Sequence, residues 1–282
     1  MKVCIETITP DIAREYLTKN TNNYRSIIPH IVAKYANDMK DGLWDENGSA
    51  IVFSKSGTLL DGQHRLHAVI RACMPVSMVV VRDVSDQVSS FDTQSKRSES
   101  QVLKASGIDG YARTLQASSV AGMLLSRAYT RNGPAGKQVS IQKIRRFLKA
   151  KEAEMDAVAS AVFSGNSVCA KRASVLCAAW CLFEIGESMD NIRQFFSVVN
   201  SGFPVDGKEC SPCIVLRNHL LNTKGLYIHT KASVEKDFSM TIRAYLDFKN
   251  GVLRRTAYKD STLVSSKYFN YACEKAQEYV EE

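Results

Sequence analysis

Asp61-Gly62-Gln63-His64-Arg65 sets a carboxylate, a residue without a side chain, an amide, an imidazole and a guanidinium in five consecutive positions. A strand pattern, Thr58-Leu59-Leu60, runs into this string, and a helical pattern leaves it at once. Gly62 lacks the Cβ that would keep a ligand from the backbone. The first turn of the helix offers amide hydrogens and a positive dipole end, which together favour an anion. Gln63, His64 and Arg65 add side-chain donors at the same place, and a guanidinium grips phosphate oxygens in two-pronged fashion. The ordinary alternative is that Asp61 caps the helix while His64 and Arg65 face solvent or pair with acids. Helical geometry puts His64, His67 and Arg71 opposite the Leu66/Val69/Ile70/Cys73 stripe. Arg65 lies beside that stripe, within reach of a neighbouring element.

If the site turns over a substrate, Asp61 and His64 are its candidate acid and base, with Glu46 and Asp92 as further acids. Each acid has a simpler role as a cap, a turn or a loop residue. No Ser–His–Asp, Cys–His or paired-carboxylate spacing stands out. Cys210-Ser211-Pro212-Cys213 lacks a second ligand pair at zinc spacing, so no metal is expected. Lys96 and Arg97, in a polar loop, are candidates to close over a phosphate bound at 62–65. Lys143, Arg145, Arg146 and Lys149 on one helix, with Arg254, Arg255 and Lys259 further on, are candidate DNA-backbone contacts. Basic residues on the outer face of an amphipathic helix are also routine surface.

Thr9-Pro10-Asp11 starts a first helix through a capping hydroxyl, a proline at the first helical position and an acid. A second helix runs from about 29 to 41, and Gly42 stops it. Residues 50–53 and 58–60 read as a hairpin around Ser54–Gly57, and 77–82 as a β-branched strand after the 62–73 helix. The expected order is helix, helix, strand, strand, helix, strand, with a strand–helix–strand crossover at its centre. A short helix capped by Ser98 follows. From about 109 strand signals nearly vanish, and helices are expected near 111–129, 141–151, 154–163, 168–186, 190–199, 211–222 and 232–249. The fold class is α+β: an α/β domain over 1–108, then an all-α domain over 109–282.

The chain has 282 residues, and its apolar and charged fractions are those of a globular protein. No apolar run reaches bilayer-spanning length, which points away from a membrane and toward the cytoplasm. Eight cysteines sit mostly in apolar patterns and read as reduced, buried small hydrophobes. The net charge is +8, and its placement is uneven. Residues 1–108 hold 13 Lys/Arg against 12 Asp/Glu, whereas 109–282 hold 24 against 17. An acidic partner such as DNA would therefore meet the second half. A helix-turn-helix within 109–200 is one way to meet it.

Asp61-Gly62-Gln63-His64-Arg65-Leu66 resembles the signature of the ParB/sulfiredoxin superfamily, especially its DGQHR-bearing members from phages and mobile elements. Thr9-Pro10, Tyr16-Leu17, Asn20, Asn23, Tyr35-Ala36, Met39, Gly42, Trp44, Gly57 and Leu59 are similar to that subfamily. So are Gly202, Ser211-Pro212 and Leu216-Arg217 of a helical extension. The resemblance implies a ParB/sulfiredoxin-like fold with its ligand loop at the start of the central helix. In ParB the matching glycine, glutamate and two arginines hold the phosphates of a cytidine nucleotide. Gly62 and Arg65 match that pattern, while Gln63 and His64 depart from it. In sulfiredoxin the position of Gln63 is the reactive cysteine; an amide cannot attack as a thiolate, so sulfinic acid reduction is excluded.

The expectation is a nucleotide- or phosphate-binding, DNA-associated protein, its cofactor a nucleoside triphosphate with Mg2+ or otherwise none. Gly62, Gln63, His64, Arg65, Lys96 and Arg97 would hold the phosphates, and the helical half would meet DNA or a second subunit in a homodimer. Two alternatives stand beside it. One is a nuclease or phosphotransferase of phage DNA metabolism; the other is a protein-binding regulator.

Overall fold

The computed structural model describes residues 1–20, 26–45, 49–85, 102–104, 107–129, 139–165, 167–169, 172–203, 211–223, 230–254, 258 and 262–281. The protein is α+β, and it divides into two compact units: residues 1–96 with 136–142, and residues 97–135 with 143–282.

The first unit begins with a strand that the hydropathy pattern does not announce, β1 (Lys2–Ile8). Its outward positions carry Val3 and Ile5 while Glu6 faces inward, so the usual contrast between faces is inverted. Helix α1 (Pro10–Thr18) follows, with the Thr9 hydroxyl accepting the Ile12 amide hydrogen at 3.2 Å. Helix α2 (Pro29–Lys40) ends before Gly42, whose positive φ turns the chain. The hairpin β2 (Ile51–Ser54) and β3 (Leu59–Asp61) leads straight into α3 (Gln63–Ala72) and then β4 (Val76–Val84).

The sheet order is β1-β4-β2-β3. β4 pairs antiparallel with β1 and parallel with β2, so the expected crossover joins β2 to β4 through β3 and α3. One sheet face, with Ile8, Ile51, Phe53, Leu59, Met78 and Val80, packs on the buried stripes of all three helices. The helical stripe on α3 is Leu66, Val69 and Ala72 with Ala68, and Ile70 packs partly buried against the same core; Cys73 is not part of it. That residue adopts a left-handed conformation as the C-cap and lies exposed.

The second unit is helical among its described residues. A 3-10 turn (Gly110–Arg113) precedes α4 (Leu115–Ser126), α5 (Ile141–Ala150), α6 (Glu152–Phe163), α7 (Ala173–Glu184), α8 (Met189–Ser201), α9 (Ser211–Asn222), α10 (Lys231–Lys249) and α11 (Thr262–Glu281). Of α5, residues from 143 on belong to this unit. Helix α7 is apolar on every side and buried from Ser174 to Leu182, which makes it the centre of this core. Around Trp180 lie Phe147 of α5 and Phe183, and Phe195 of α8 stacks edge-on to Tyr245 of α10. Gly107 and Asp109 are tied to this unit: Lys149 donates to the Gly107 carbonyl at 3.2 Å, and Glu152 accepts the Asp109 amide hydrogen at 3.1 Å. Helix α11 is an addition to the expected set. Five of the cysteines, 169, 177, 181, 213 and 273, are buried, whereas Cys4 and Cys73 are exposed.

Candidate functional site

The turn from β3 to α3 is built as its sequence suggests, yet each motif residue also holds the fold together. Gly62 is the N-cap of α3 and adopts φ +110°, a conformation that side chains oppose. A Cβ there would stand 3.1 Å from Ile51 Cα on the adjacent strand. The glycine thus lets the turn close against β2. No side chain caps the N-terminus of α3.

Asp61 is the last residue of β3, not the cap. Its Oδ1 accepts the Gly62 amide hydrogen at 2.7 Å, and its Oδ2 faces Arg65 Nη2 at 2.9 Å. The same Nη2 donates to the Ala50 carbonyl at 2.6 Å, just before β2. Arg65 is largely buried, while Asp61 is half exposed. The buried Arg65 Nε has no hydrogen-bond partner among the described residues. Gln63 is buried, with Oε1 accepting from Asn20 Nδ2 at 3.2 Å. His64 Nε2 accepts the Ile28 amide hydrogen at 3.0 Å, immediately before α2. An accepting Nε2 carries no proton, so the imidazole is neutral in this arrangement, with its hydrogen on Nδ1.

The motif therefore gathers the end of α1, the approach to α2 and the approach to β2 at the start of α3. Chemically, one carboxylate rests on a backbone amide and a guanidinium, the two donors that a phosphoryl group would use. Lys96 and Arg97 lie outside the described residues, as do Glu46 and Asp92.

The candidate DNA contacts are distributed differently. Arg146 Nη1 donates to the Val280 carbonyl at 3.0 Å, near the end of α11. Lys149 bridges Gly107 and Glu152. Arg254 binds Asp247 through Nε at 2.5 Å, and its guanidinium lies 4.8 Å from the Tyr258 ring centre. These three have structural work in the helical unit. Lys143 and Arg145 are half-buried on α5, each with a further contact of its own. Arg255 and Lys259 lie outside the described residues. Arg217, singled out through the resemblance, donates to the carbonyls of Val199 and Asn200 and packs on Gly202, closing the C-terminus of α8.

Two clusters were not anticipated. On the first unit, Arg82 of β4 binds both oxygens of Glu6, and Tyr16 Oη donates to Glu6 Oε2 at 2.7 Å. The guanidinium holds the Glu6 carboxyl well below its ordinary range, at about 2, and burial beside Glu6 pushes the Tyr16 phenol up to about 12. Cys4 Sγ donates to Glu6 Oε1 at 2.9 Å, which holds its thiol above the usual value. In the helical unit, Asp237 of α10 is buried between Arg172 Nη1 at 2.7 Å and His219 Nε2 at 2.8 Å. A charge in a β-branched strand (Arg82) and an acid on the buried stripe of an amphipathic helix, between Val234 and Thr241 (Asp237), were the signals available. Among the described residues, no three His, Cys, Asp or Glu side chains converge as metal ligands.

Comparison with protein-family models, with curated proteins and with solved structures found no match to this chain.

Proposed function

We propose that the first unit is a ParB/sulfiredoxin-like phosphate-binding domain in a DNA-associated protein. It takes the phosphates of a nucleoside triphosphate with Mg2+, or of DNA, at the β3–α3 turn. The observation that carries this reading is the Asp61 carboxylate, seated on the Gly62 amide and the Arg65 guanidinium at 2.7 and 2.9 Å. An anion already occupies the donors, and it belongs to a half-exposed side chain at the rim of the turn. A phosphoryl oxygen that displaces it gains the same two donors, with the uncapped α3 N-terminus behind them. DNA association rests on the basic excess of residues 109–282, with Lys143 and Arg145 of α5 as the residues to test first.

The test is a thermal-shift and titration series with each common nucleoside triphosphate, with and without Mg2+, and with a short DNA duplex. A ligand at a hundred times its Kd stabilises the folded state by about 2.7 kcal/mol. Asp61→Asn removes the competing charge and is expected to tighten the ligand about tenfold, whereas Arg65→Ala abolishes binding. No shift with any of these ligands, or equal affinities in wild type and both variants, refutes the reading.

A further inference from the structure

Among the described residues, β1 pairs on one side only, with β4. Its other edge presents a row of main-chain donors and acceptors, a template for another strand. Edges of this kind are ordinarily blunted by proline, a bulge, short length or charged side chains. Of these β1 has only charge, in Lys2 and the inward Glu6: its seven residues run in unbroken register with β4 and include no proline. Val3 and Ile5 stand 60% and 62% exposed on its outer face.

We propose that this edge pairs antiparallel with β1 of a second copy of the chain, with Cys4 facing Cys4. Two identical antiparallel strands within one sheet are related by a two-fold axis perpendicular to it, so odd residues face odd and even face even. Few registers meet that condition, and charge selects among them. Centring on Cys4 sets Lys2 against the second copy's Glu6 and Val3 against its Ile5, each twice by symmetry. Centring on Ile5 sets the Lys2 ammonium against Ile8, and centring on Glu6 sets carboxylate against carboxylate. Centring on Val3 engages only the first three residues of the strand. The Lys2 side chain is 83% exposed with its ammonium 3.4 Å from Asp83, and Glu6 is 27% exposed with both oxygens on Arg82. The pairing therefore exchanges Asp83 for the second copy's Glu6 and adds to the Glu6–Arg82 ion pair. The apolar pair and the charge pair then lie on opposite faces of one continuous sheet. An interface of five facing positions is small, and the dimer belongs to the weak, concentration-dependent class.

Antiparallel facing residues have Cα atoms about 4.5–5.5 Å apart, within disulfide range. The experiment is therefore oxidative cross-linking of the full chain with copper–phenanthroline, beside sedimentation over a wide concentration range. It is run at alkaline pH, because Glu6 holds the Cys4 thiol above its usual value. A covalent dimer is expected to form, to vanish in Cys4→Ser and to survive Cys73→Ser, which removes the other exposed thiol among the described residues. Lys2→Glu and Ile5→Lys, both at exposed positions, are each expected to slow it about tenfold, since symmetry doubles each lost pair. A chain that sediments as a monomer throughout, or cross-linking through Cys4 unchanged by Lys2→Glu and Ile5→Lys, overturns the proposal. Binding of an unrelated β-strand peptide to a monomeric chain overturns it as well.

Discussion

Gly62 and Ile51 approach so closely that a Cβ on the glycine would meet the isoleucine Cα at 3.1 Å and its side chain at 3.2 Å. The contact fixes how β3 turns into α3 beside β2, and it depends on a φ of +110°. Gly62→Ala must bear both the left-handed strain and the clash. It is expected to lower stability by about 1–3 kcal/mol without any ligand present, measured by urea unfolding. An alanine variant as stable as wild type would mean that the glycine serves ligand access alone.

Arg65 serves the fold and the candidate site through the same nitrogen. Its Nη2 reaches the Ala50 carbonyl at 2.6 Å, so Arg65→Ala leaves that acceptor unpaired and is expected to cost about 1–3 kcal/mol. Arg65→Lys offers a single charged donor and should recover part of the stability, but not the two-pronged grip on phosphate. Thermal unfolding of both variants, beside their ligand titrations, separates the two roles. If Arg65→Lys restored ligand affinity in full, a point charge would suffice and the fork would play no part.

The strand–turn–helix around residues 58–66 was legible because glycine punctuation and hydrophobic period agree there. Arg65 lying beside the apolar stripe was legible too, and its neighbour is the Ala50 carbonyl. The pairings of Gln63 with Asn20 and of His64 with Ile28 were not. They join residues 43 and 36 positions apart, and local periodicity carries no record of such contacts. β1 was hidden because its exposed face carries the branched apolar residues. Helix α11 was hidden for a related reason. Phe269, Ala272, Cys273, Ala276 and Val280 do recur at helical spacing, but most are small, so the apolar stripe is shallow.

Glu6 gives the first unit a specific acid sensitivity. Its carboxyl is lowered from 4.5 to about 2, chiefly by the Arg82 hydrogen bonds. A depressed carboxyl contributes stability above its ordinary value and loses it as pH falls through the folded one. That contribution is therefore complete above about 4.5 and fades toward pH 2. Glu6→Gln is expected to be less stable than wild type at neutral pH, with the gap closing between pH 4.5 and 2 in urea unfolding. A gap of the same size at both ends of that window would assign Glu6 a packing role instead.

Asp237 is the corresponding test of the helical unit. Its carboxylate is almost wholly buried and receives Arg172, His219 and, at 3.4 Å, the Ser174 hydroxyl. Arg172 in turn donates to the Leu220 carbonyl and the Thr223 hydroxyl, so the pair links α7, α9 and α10. Asp237→Asn leaves the buried guanidinium without the carboxylate that faces it, and a loss of about 3–5 kcal/mol is expected. Replacing both partners with apolar residues, Arg172→Met with Asp237→Leu, removes the two buried charges together and should return much of that loss. Chemical unfolding of the single and double variants decides the matter. If the double variant is no more stable than Asp237→Asn, the Arg172 bonds to Leu220 and Thr223 stabilise the unit independently of the charge pair.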